Sequence, residues 1–176
     1  MGDVEDEDAA RPAELATTHY SPGIVSPQAV YGTVVVAAIL GATSDDASAW
    51  EIFFMTVGSV LVLWTAHVYA EAVASHGRQG EKTTGVRQSL KFGVRQSFGI
   101  LLAATIPAVL LFLGALGPMD GVLAVDLSLW WCVLALGILG YFAFQQRGRN
   151  IPIRIIGAIA TAAFGVVIIV LKTLAH

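Results

Sequence analysis

Five long apolar runs alternate with short polar segments along the chain, and this alternation predicts helices that cross a membrane. A crossing needs roughly 20 mostly apolar residues, because the hydrocarbon core of a bilayer is about 30 Å thick. We therefore expect an all-α integral membrane helical bundle over residues 26–176, with five transmembrane helices. The predicted spans cover about residues 26–43, 52–75, 92–116, 122–144 and 153–174.

Residues 1–25 have a different character from the rest of the chain. The segment "MGDVEDEDAARPAELATTHYSPG" is acidic, contains two prolines and has few large apolar residues. This is the composition of a solvated tail. No basic stretch leads into an apolar core, so we do not interpret the segment as a cleaved signal peptide. We predict an acidic, disordered cytoplasmic tail.

The overall composition agrees with a membrane protein. Of the 176 residues, 56% are hydrophobic and 13% are charged, whereas soluble domains carry about 25% charged residues. The formal net charge of −3 argues against nucleic-acid binding. The chain has no nucleophile elbow, Walker loop or dinucleotide fingerprint. We therefore expect no catalytic residues and no enzymatic activity.

The positions of the lysines and arginines predict the orientation, because basic residues in short loops are retained on the cytoplasmic side. The connections "SDDASAWE" and "GPMDG" contain no Lys or Arg. This pattern predicts a multi-pass protein of the cell (inner) membrane, with its N-terminus inside and its C-terminus outside. The basic residues follow the second and fourth runs, at Arg78, Lys82, Arg87, Lys91, Arg95, Arg147, Arg149 and Arg154.

The second run contains "WTAHVYAEAV", in which His67 and Glu71 stand four residues apart and so share one helix face. In the predicted orientation Glu71 lies about one turn and His67 about two turns from the cytoplasmic helix end. A charged side chain inside a span costs roughly 3 kcal/mol at the centre and normally turns towards protein or a wet cavity. The next helix begins at the same depth, so we predict that Glu71 pairs with Arg95, or with Lys91 as second choice.

This polar cluster admits two functional interpretations. If it is a structural clamp between helices, the protein is a non-enzymatic scaffold or subunit. If His67 and Glu71 exchange protons, the protein is a proton-linked transporter or channel, since histidine has an ordinary pKa of about 6.5. Thr56 and Asp126 would then line the outer mouth of the pathway; otherwise Asp126 is a carboxylate favoured at a helix start.

Cofactor chemistry has little support in the sequence. His67 is the only histidine inside a predicted span, and no HxxH or CxxC spacing is present. A zinc site needs three or four ligands, so we expect no metal site and no cofactor. A haem or metal shared across a dimer is the remaining alternative, because one histidine supplies one ligand.

Two further patterns predict contacts with lipid and between helices. Arg87, Lys91 and Arg95 recur every four residues and form one helical stripe, which anionic headgroups attract by about 1 kcal/mol per basic residue. The expected partners are therefore membrane lipids. In the fifth run small residues recur at the same spacing and predict close packing within the monomer, or a dimer seam and hence a homo-oligomer. They are Gly157, Thr161 and Gly165.

The segments "VYGTVVVAAIL" and "WTAHVYAEAV" resemble a group of small uncharacterised bacterial polytopic membrane proteins, which carry YGT and AHVYAE-like segments in their first two spans. The resemblance covers mainly the first two helices and implies no established activity. It implies six positions to test, namely Tyr31, Gly32, Thr33, His67, Tyr69 and Glu71.

Overall fold

Five α-helices form the part of the chain that the structure, a computed structural model, describes: residues 26–44, 46–76, 86–146 and 148–175. No strand occurs in these ranges, so the predicted all-α membrane bundle is confirmed. The predicted tail of residues 1–25 lies outside the described residues. The helices are α1 (Pro27–Gly41), α2 (Ala49–His76), α3 (Val86–Leu116), α4 (Gly121–Gln146) and α5 (Ile151–Ala175).

Four helices, α2 to α5, are long and apolar enough to cross a membrane. Their apolar stretches have 24 to 27 residues each, which is more than the roughly 20 that a crossing requires. Helix α1 has 15 residues and is about 22 Å long at 1.5 Å per residue. It is therefore shorter than the hydrocarbon core, and only the four longer helices match the predicted spans by length.

Helix α1 lies in the middle of the bundle. Helices α2 and α3 form one antiparallel pair, α4 and α5 form another, α3 contacts α4, and α1 contacts all four of the others. Buried residues recur along α1 at spacings of three and four, so the short helix turns its small and β-branched side chains towards its neighbours. They are Ala29, Gly32, Thr33, Val36, Ala37 and Leu40.

The two ends of the bundle differ in charge. We call the end with residues 74–76, 86–90, 145–146 and 148–154 the basic end, and the end with residues 42–44, 46–48 and 117–120 the acidic end. The N-cap residue of α1, Ser26, packs against Gly99 of α3. Gly99 is 13 residues into α3, so α3 extends about 20 Å beyond the start of α1 towards the basic end. Helix α1 therefore occupies mainly the acidic half of the bundle.

Side chains cap three helix starts and satisfy amide groups that have no partner within the helix. The Ser26 hydroxyl accepts a hydrogen bond from the Ala29 amide at 3.1 Å, and an Asp120 carboxylate oxygen accepts one from the Val122 amide at 3.1 Å. At α2, Ser48 and Glu51 form a reciprocal capping box: the Ser48 amide donates to Glu51 at 2.8 Å, and the Glu51 amide donates to the Ser48 hydroxyl at 3.3 Å.

The surface of the bundle is apolar on every side. Val62, Phe164 and Leu174 are 72%, 64% and 78% exposed, respectively. Soluble monomers rarely expose large continuous apolar surfaces, whereas acyl chains solvate such surfaces well. The fully buried core is small by comparison and is formed by residues such as Leu40, Ile100 and Leu136. This distribution is that of a protein whose surrounding solvent is lipid.

Candidate functional site

One face of α2 carries the polar residues identified in the sequence and packs towards the bundle. Thr56, Val60 and Val68 are buried, and His67 and Glu71 are half-buried. Tyr69, by contrast, is 70% exposed. The shared face that the four-residue spacing predicts for His67 and Glu71 is therefore turned partly inward, with Val68 beside it.

His67 of α2 packs against Tyr31 of α1. Its Nδ1 atom lies 3.2 Å from the Leu63 carbonyl oxygen, one turn back on the same helix. Its ring centroid lies 5.2 Å from that of Tyr31, with the two ring planes at 37°. Tyr31 is one of the positions that the resemblance singles out, and the structure places it beside His67. An imidazole in this position packs on an aromatic ring and has a backbone oxygen within hydrogen-bonding distance.

Glu71 lies where α2 and α3 come closest at the basic end. A Cβ atom built on Gly93 of α3 would lie 2.6 Å from the Val68 carbonyl oxygen and 3.5 Å from the Glu71 Cβ atom. Only a residue without a side chain leaves room for this approach. The surface of α3 that meets Glu71 is therefore the Gly93 surface, which continues along the helix through the buried residues Ser97, Ile100 and Ala104.

The structure does not bring Arg95 or Lys91 to Glu71. Each is two residues from Gly93, which is about 200° of rotation around the helix, and each is exposed. In the part of the chain that the structure describes, neither cation forms an ion pair with Glu71. The direction of the two cations therefore differs from the expectation.

The same rotation places the three cations together on the outer side of α3. Arg87, Lys91 and Arg95 are all exposed, and four residues correspond to about 40° of net rotation, so they follow one line along the helix. We call these three residues the basic stripe. It faces away from α2 and from Glu71.

Three buried polar atoms in the described residues have no hydrogen-bond partner: Thr56 Oγ1, Trp64 Nε1 and Ser97 Oγ. Other hydroxyls in these helices bond to the carbonyl one turn back, as Thr33 does to Ala29 at 2.8 Å and Ser128 does to Ala124 at 2.7 Å. A buried polar atom without a partner costs roughly 1 to 3 kcal/mol. Two of the three lie on α2. Sequence periodicity identified the polar face of this helix, but it could not show which of its polar atoms have hydrogen-bond partners.

The predicted outer polar positions, Thr56 and Asp126, differ in burial. Thr56 is 1% exposed on α2, whereas Asp126 is exposed on α4. A cavity of about 220 Å³ opens at the acidic end, but neither residue lines it. Its polar lining residues are Thr43, Ser44, Asp120 and Lys172.

The small residues of α5 pack against α4 within the monomer. Gly157 contacts Phe144, Gly165 contacts Val133, and Gly140 of α4 contacts Thr161 and Gly157. The Thr161 hydroxyl donates to the Gly157 carbonyl at 2.7 Å. The sequence analysis gave two interpretations of the four-residue spacing, packing within the monomer or a dimer seam. These contacts agree with packing within the monomer.

Among the described residues, no three His, Cys, Asp or Glu side chains come together in a way that could hold a metal ion. Cys132 is buried in the core cluster and is a free thiol. The residues that sequence reasoning missed are Gly93 and the capping box at Ser48 and Glu51. The spacing S-x-x-E before an apolar run is a recognised signal for such a box.

The chain was also compared with known proteins. No family model, no curated protein and no solved structure matches it.

Proposed function

We propose that this chain is a non-enzymatic membrane subunit or scaffold whose basic end is anchored to anionic headgroups. The observation that supports the proposal is the outward direction of the basic stripe. Transport proteins usually turn their intramembrane ionisable groups towards the bundle interior or a wet cavity. Here Arg87, Lys91 and Arg95 face away from the neighbouring helix, where headgroups and protein partners can reach them.

The interior between α2 and α3 supports the same proposal. A proton relay needs groups within hydrogen-bond reach of one another, or water between them. Along α2 the polar residues Thr56 and Trp64 are separated by eight residues, or about 12 Å. Val60 lies between them and is 3% exposed. The face of α2 that carries His67 and Glu71 is therefore interrupted by an apolar residue, Val60, between Thr56 and Trp64.

The test of the proposal is the selectivity of the protein for anionic lipid. We would reconstitute the protein in phosphatidylcholine and measure by electron spin resonance the motionally restricted fraction of spin-labelled phosphatidylglycerol. Three basic residues at about 1 kcal/mol each should give a clear preference over labelled phosphatidylcholine. This preference should fall in high salt.

The matched variants separate charge from packing. The triple variant R87Q/K91Q/R95Q should lose most of the selectivity, while R87K/R95K, which keeps every positive charge, should retain it. Equal selectivity in the glutamine variant and the native chain would refute the anchoring role of the basic stripe.

A second candidate function, a proton-linked transporter or channel, is favoured by the three unpartnered atoms Thr56 Oγ1, Trp64 Nε1 and Ser97 Oγ. Atoms of this kind are places where water enters a helix bundle. The test is proton flux into proteoliposomes with a trapped pH dye, comparing the native chain with His67→Ala and Glu71→Gln. We expect the native chain and both variants to give only the background flux of empty liposomes. A higher flux in the native chain that both variants abolish would instead establish transport.

A further inference from the structure

The chain that precedes α1 enters the bundle beside α3. In the first turn of α1, Ala29 packs on Gly99 of α3: a Cβ atom built on Gly99 would lie 2.9 Å from the Ala29 amide nitrogen. Three residues later, a Cβ atom built on Gly32 would lie 3.4 Å from the Ala103 Cβ atom. Helices α1 and α3 therefore run in the same direction, from the basic end towards the acidic end. The chain before Ser26 meets the bundle level with Gly99, on the basic-end side of α1.

The side of α3 that α1 covers at Gly99 is open nearer the basic end. Phe92 is seven residues before Gly99, which is about 20° of net rotation and about 10 Å along the helix, so the two residues face the same way. Phe92 is 54% exposed. Arg95, four residues before Gly99, points about 40° away from the same direction and is also exposed. An uncovered helix surface with a cation beside it therefore lies next to the point where the chain enters.

The whole basic stripe lies within a short distance of that point. Arg95, Lys91 and Arg87 are about 6, 12 and 18 Å from the level of Gly99 towards the basic end. The rotation grows by about 40° with each step, so Arg95 is nearest to the entering chain and Arg87 is furthest around the helix. Six extended residues cover about 20 Å. Residues 20–25 are therefore long enough to take the chain past the basic stripe.

The sequence before residue 20 carries the opposite charge. We call residues 3–14 the acidic segment, because it contains six carboxylates and one arginine. The carboxylates are 12 to 23 residues from Ser26, and a random chain of that length has an end-to-end distance of about 20 to 26 Å. This reach matches the distance to the basic stripe, and a tethered group acts at an effective concentration of about millimolar. The carboxylates belong to Asp3, Glu5, Asp6, Glu7, Asp8 and Glu14.

We infer that the acidic segment docks on the basic stripe of its own chain and that anionic headgroups displace it. The two surfaces have opposite charges, and the place where the chain enters puts them within reach of each other. The second half of the inference rests on the proposed function, because it requires headgroups to bind the stripe. An anionic leaflet presents many more phosphates than the segment has carboxylates. The segment is therefore bound in a neutral leaflet and released in an anionic one, so that lipid composition regulates the anchor.

The experiment is electron spin resonance of a nitroxide attached at Ala9→Cys in the full chain, reconstituted in phosphatidylcholine without anionic lipid. Native Cys132 is 0% exposed and should take little label. The native chain should give an immobilised component that disappears at 1 M salt, where the Debye length is about 3 Å. An exposed ion pair changes a binding equilibrium about twofold, so three pairs amount to about eightfold. The variant R87Q/K91Q/R95Q should therefore lower the ratio of immobilised to mobile label about eightfold.

Two control variants separate the basic stripe from the total charge of the basic end. R87K/R95K keeps every positive charge of the stripe and should retain the immobilised component. R147Q/R149Q/R154Q removes three positive charges at the same end but outside α3, and should also retain it. Neither control changes a residue of the buried core.

The second arm adds phosphatidylglycerol to the bilayer. In the native chain the label should become mobile as the anionic lipid is added. The variant D3N/E5Q/D6N/E7Q/D8N/E14Q, with the same label, should be mobile in both lipids. Its selectivity for spin-labelled phosphatidylglycerol should exceed that of the native chain, because no carboxylates compete for the stripe.

Three outcomes in phosphatidylcholine would overturn the docking, whatever anionic lipid does. The label is equally mobile in the native chain and in R87Q/K91Q/R95Q; or R147Q/R149Q/R154Q lowers the ratio equally, which would make the attraction diffuse. In the third, labelled R87Q/K91Q/R95Q becomes immobilised when mixed with excess unlabelled native chain, so that the segment docks on another copy.

The lipid arm distinguishes failure of the inference from failure of the proposed function. If the label stays immobilised in phosphatidylglycerol while the stripe still selects that lipid, headgroups and the acidic segment do not compete and the inference is wrong. If the label stays immobilised and the neutral-segment variant shows no lipid selectivity, the stripe does not bind headgroups. In that case the proposed function fails and the docking itself stands.

Discussion

Single residues decide how closely the helices of this bundle approach, and Gly93 is the clearest example. A side chain at position 93 would meet the backbone of α2 at Val68. Backbone atoms cannot move aside as the end of a flexible side chain can. The contact between α2 and α3 near Glu71 therefore depends on one missing methyl group.

We predict that Gly93→Ala destabilises the protein by about 1 to 3 kcal/mol, the usual cost of adding atoms to a well-packed contact. Gly58→Ala is the matched control, since its new methyl group meets nothing within 4 Å. It should be neutral or slightly stabilising, because alanine is the better helix former. Thermal unfolding in detergent measures both; equal melting temperatures would contradict the close approach.

At the same scale, a sequence pattern fixes the spacing between residues but leaves the rotation of one helix against another open. The four-residue spacing of His67 and Glu71 predicts a common face, and both side chains are half-buried on α2. The pairing of Glu71 with Arg95 was chosen by membrane depth alone, and depth says nothing about rotation. The structure orients α3 through Gly93, and the two cations on either side of it consequently face outward.

At the scale of elements, the sequence predicts where a helix begins and ends better than it predicts which helices pack against one another. Hydropathy placed the boundaries of the four long helices within a few residues, except that α3 starts at Val86, six residues before the predicted span. The central place of α1 was not predictable. A helix that is apolar on every side has no periodicity to show which side packs and which faces lipid.

The start of α2 is held by its own side chains, so we predict that Ser48→Ala destabilises the protein by about 1 kcal/mol, the usual cost of losing an N-cap. The loss follows because the Glu51 amide would have no side-chain acceptor. Amide hydrogen exchange should accelerate in the first turn of α2. The control is Ser44→Ala, which removes a hydroxyl that lies in the same connection but caps no helix. If this variant accelerates exchange in the first turn of α2 equally, the effect of Ser48→Ala does not come from a specific cap.

At the scale of the whole molecule, the distribution of basic residues predicts that the basic end faces the cytoplasm. Exposed Ser44 and Gln146 lie at opposite ends of the bundle and can each be changed to cysteine. Native Cys132 is 0% exposed and should add little background. In intact bacterial cells, a membrane-impermeant maleimide should label Ser44→Cys, and Gln146→Cys should react only after permeabilisation. The reverse pattern would overturn the predicted orientation.

The ribosome makes α1 before its partners α3, α4 and α5. A helix of 15 residues is a weak membrane anchor by itself, because it falls short of the roughly 20 residues of a crossing. The surfaces that α1 contacts are therefore complete only after α5 has been made. We therefore expect the final packing of α1 to be a late step of biogenesis, and a chain that ends before α5 would lack one of the surfaces that hold α1 in place.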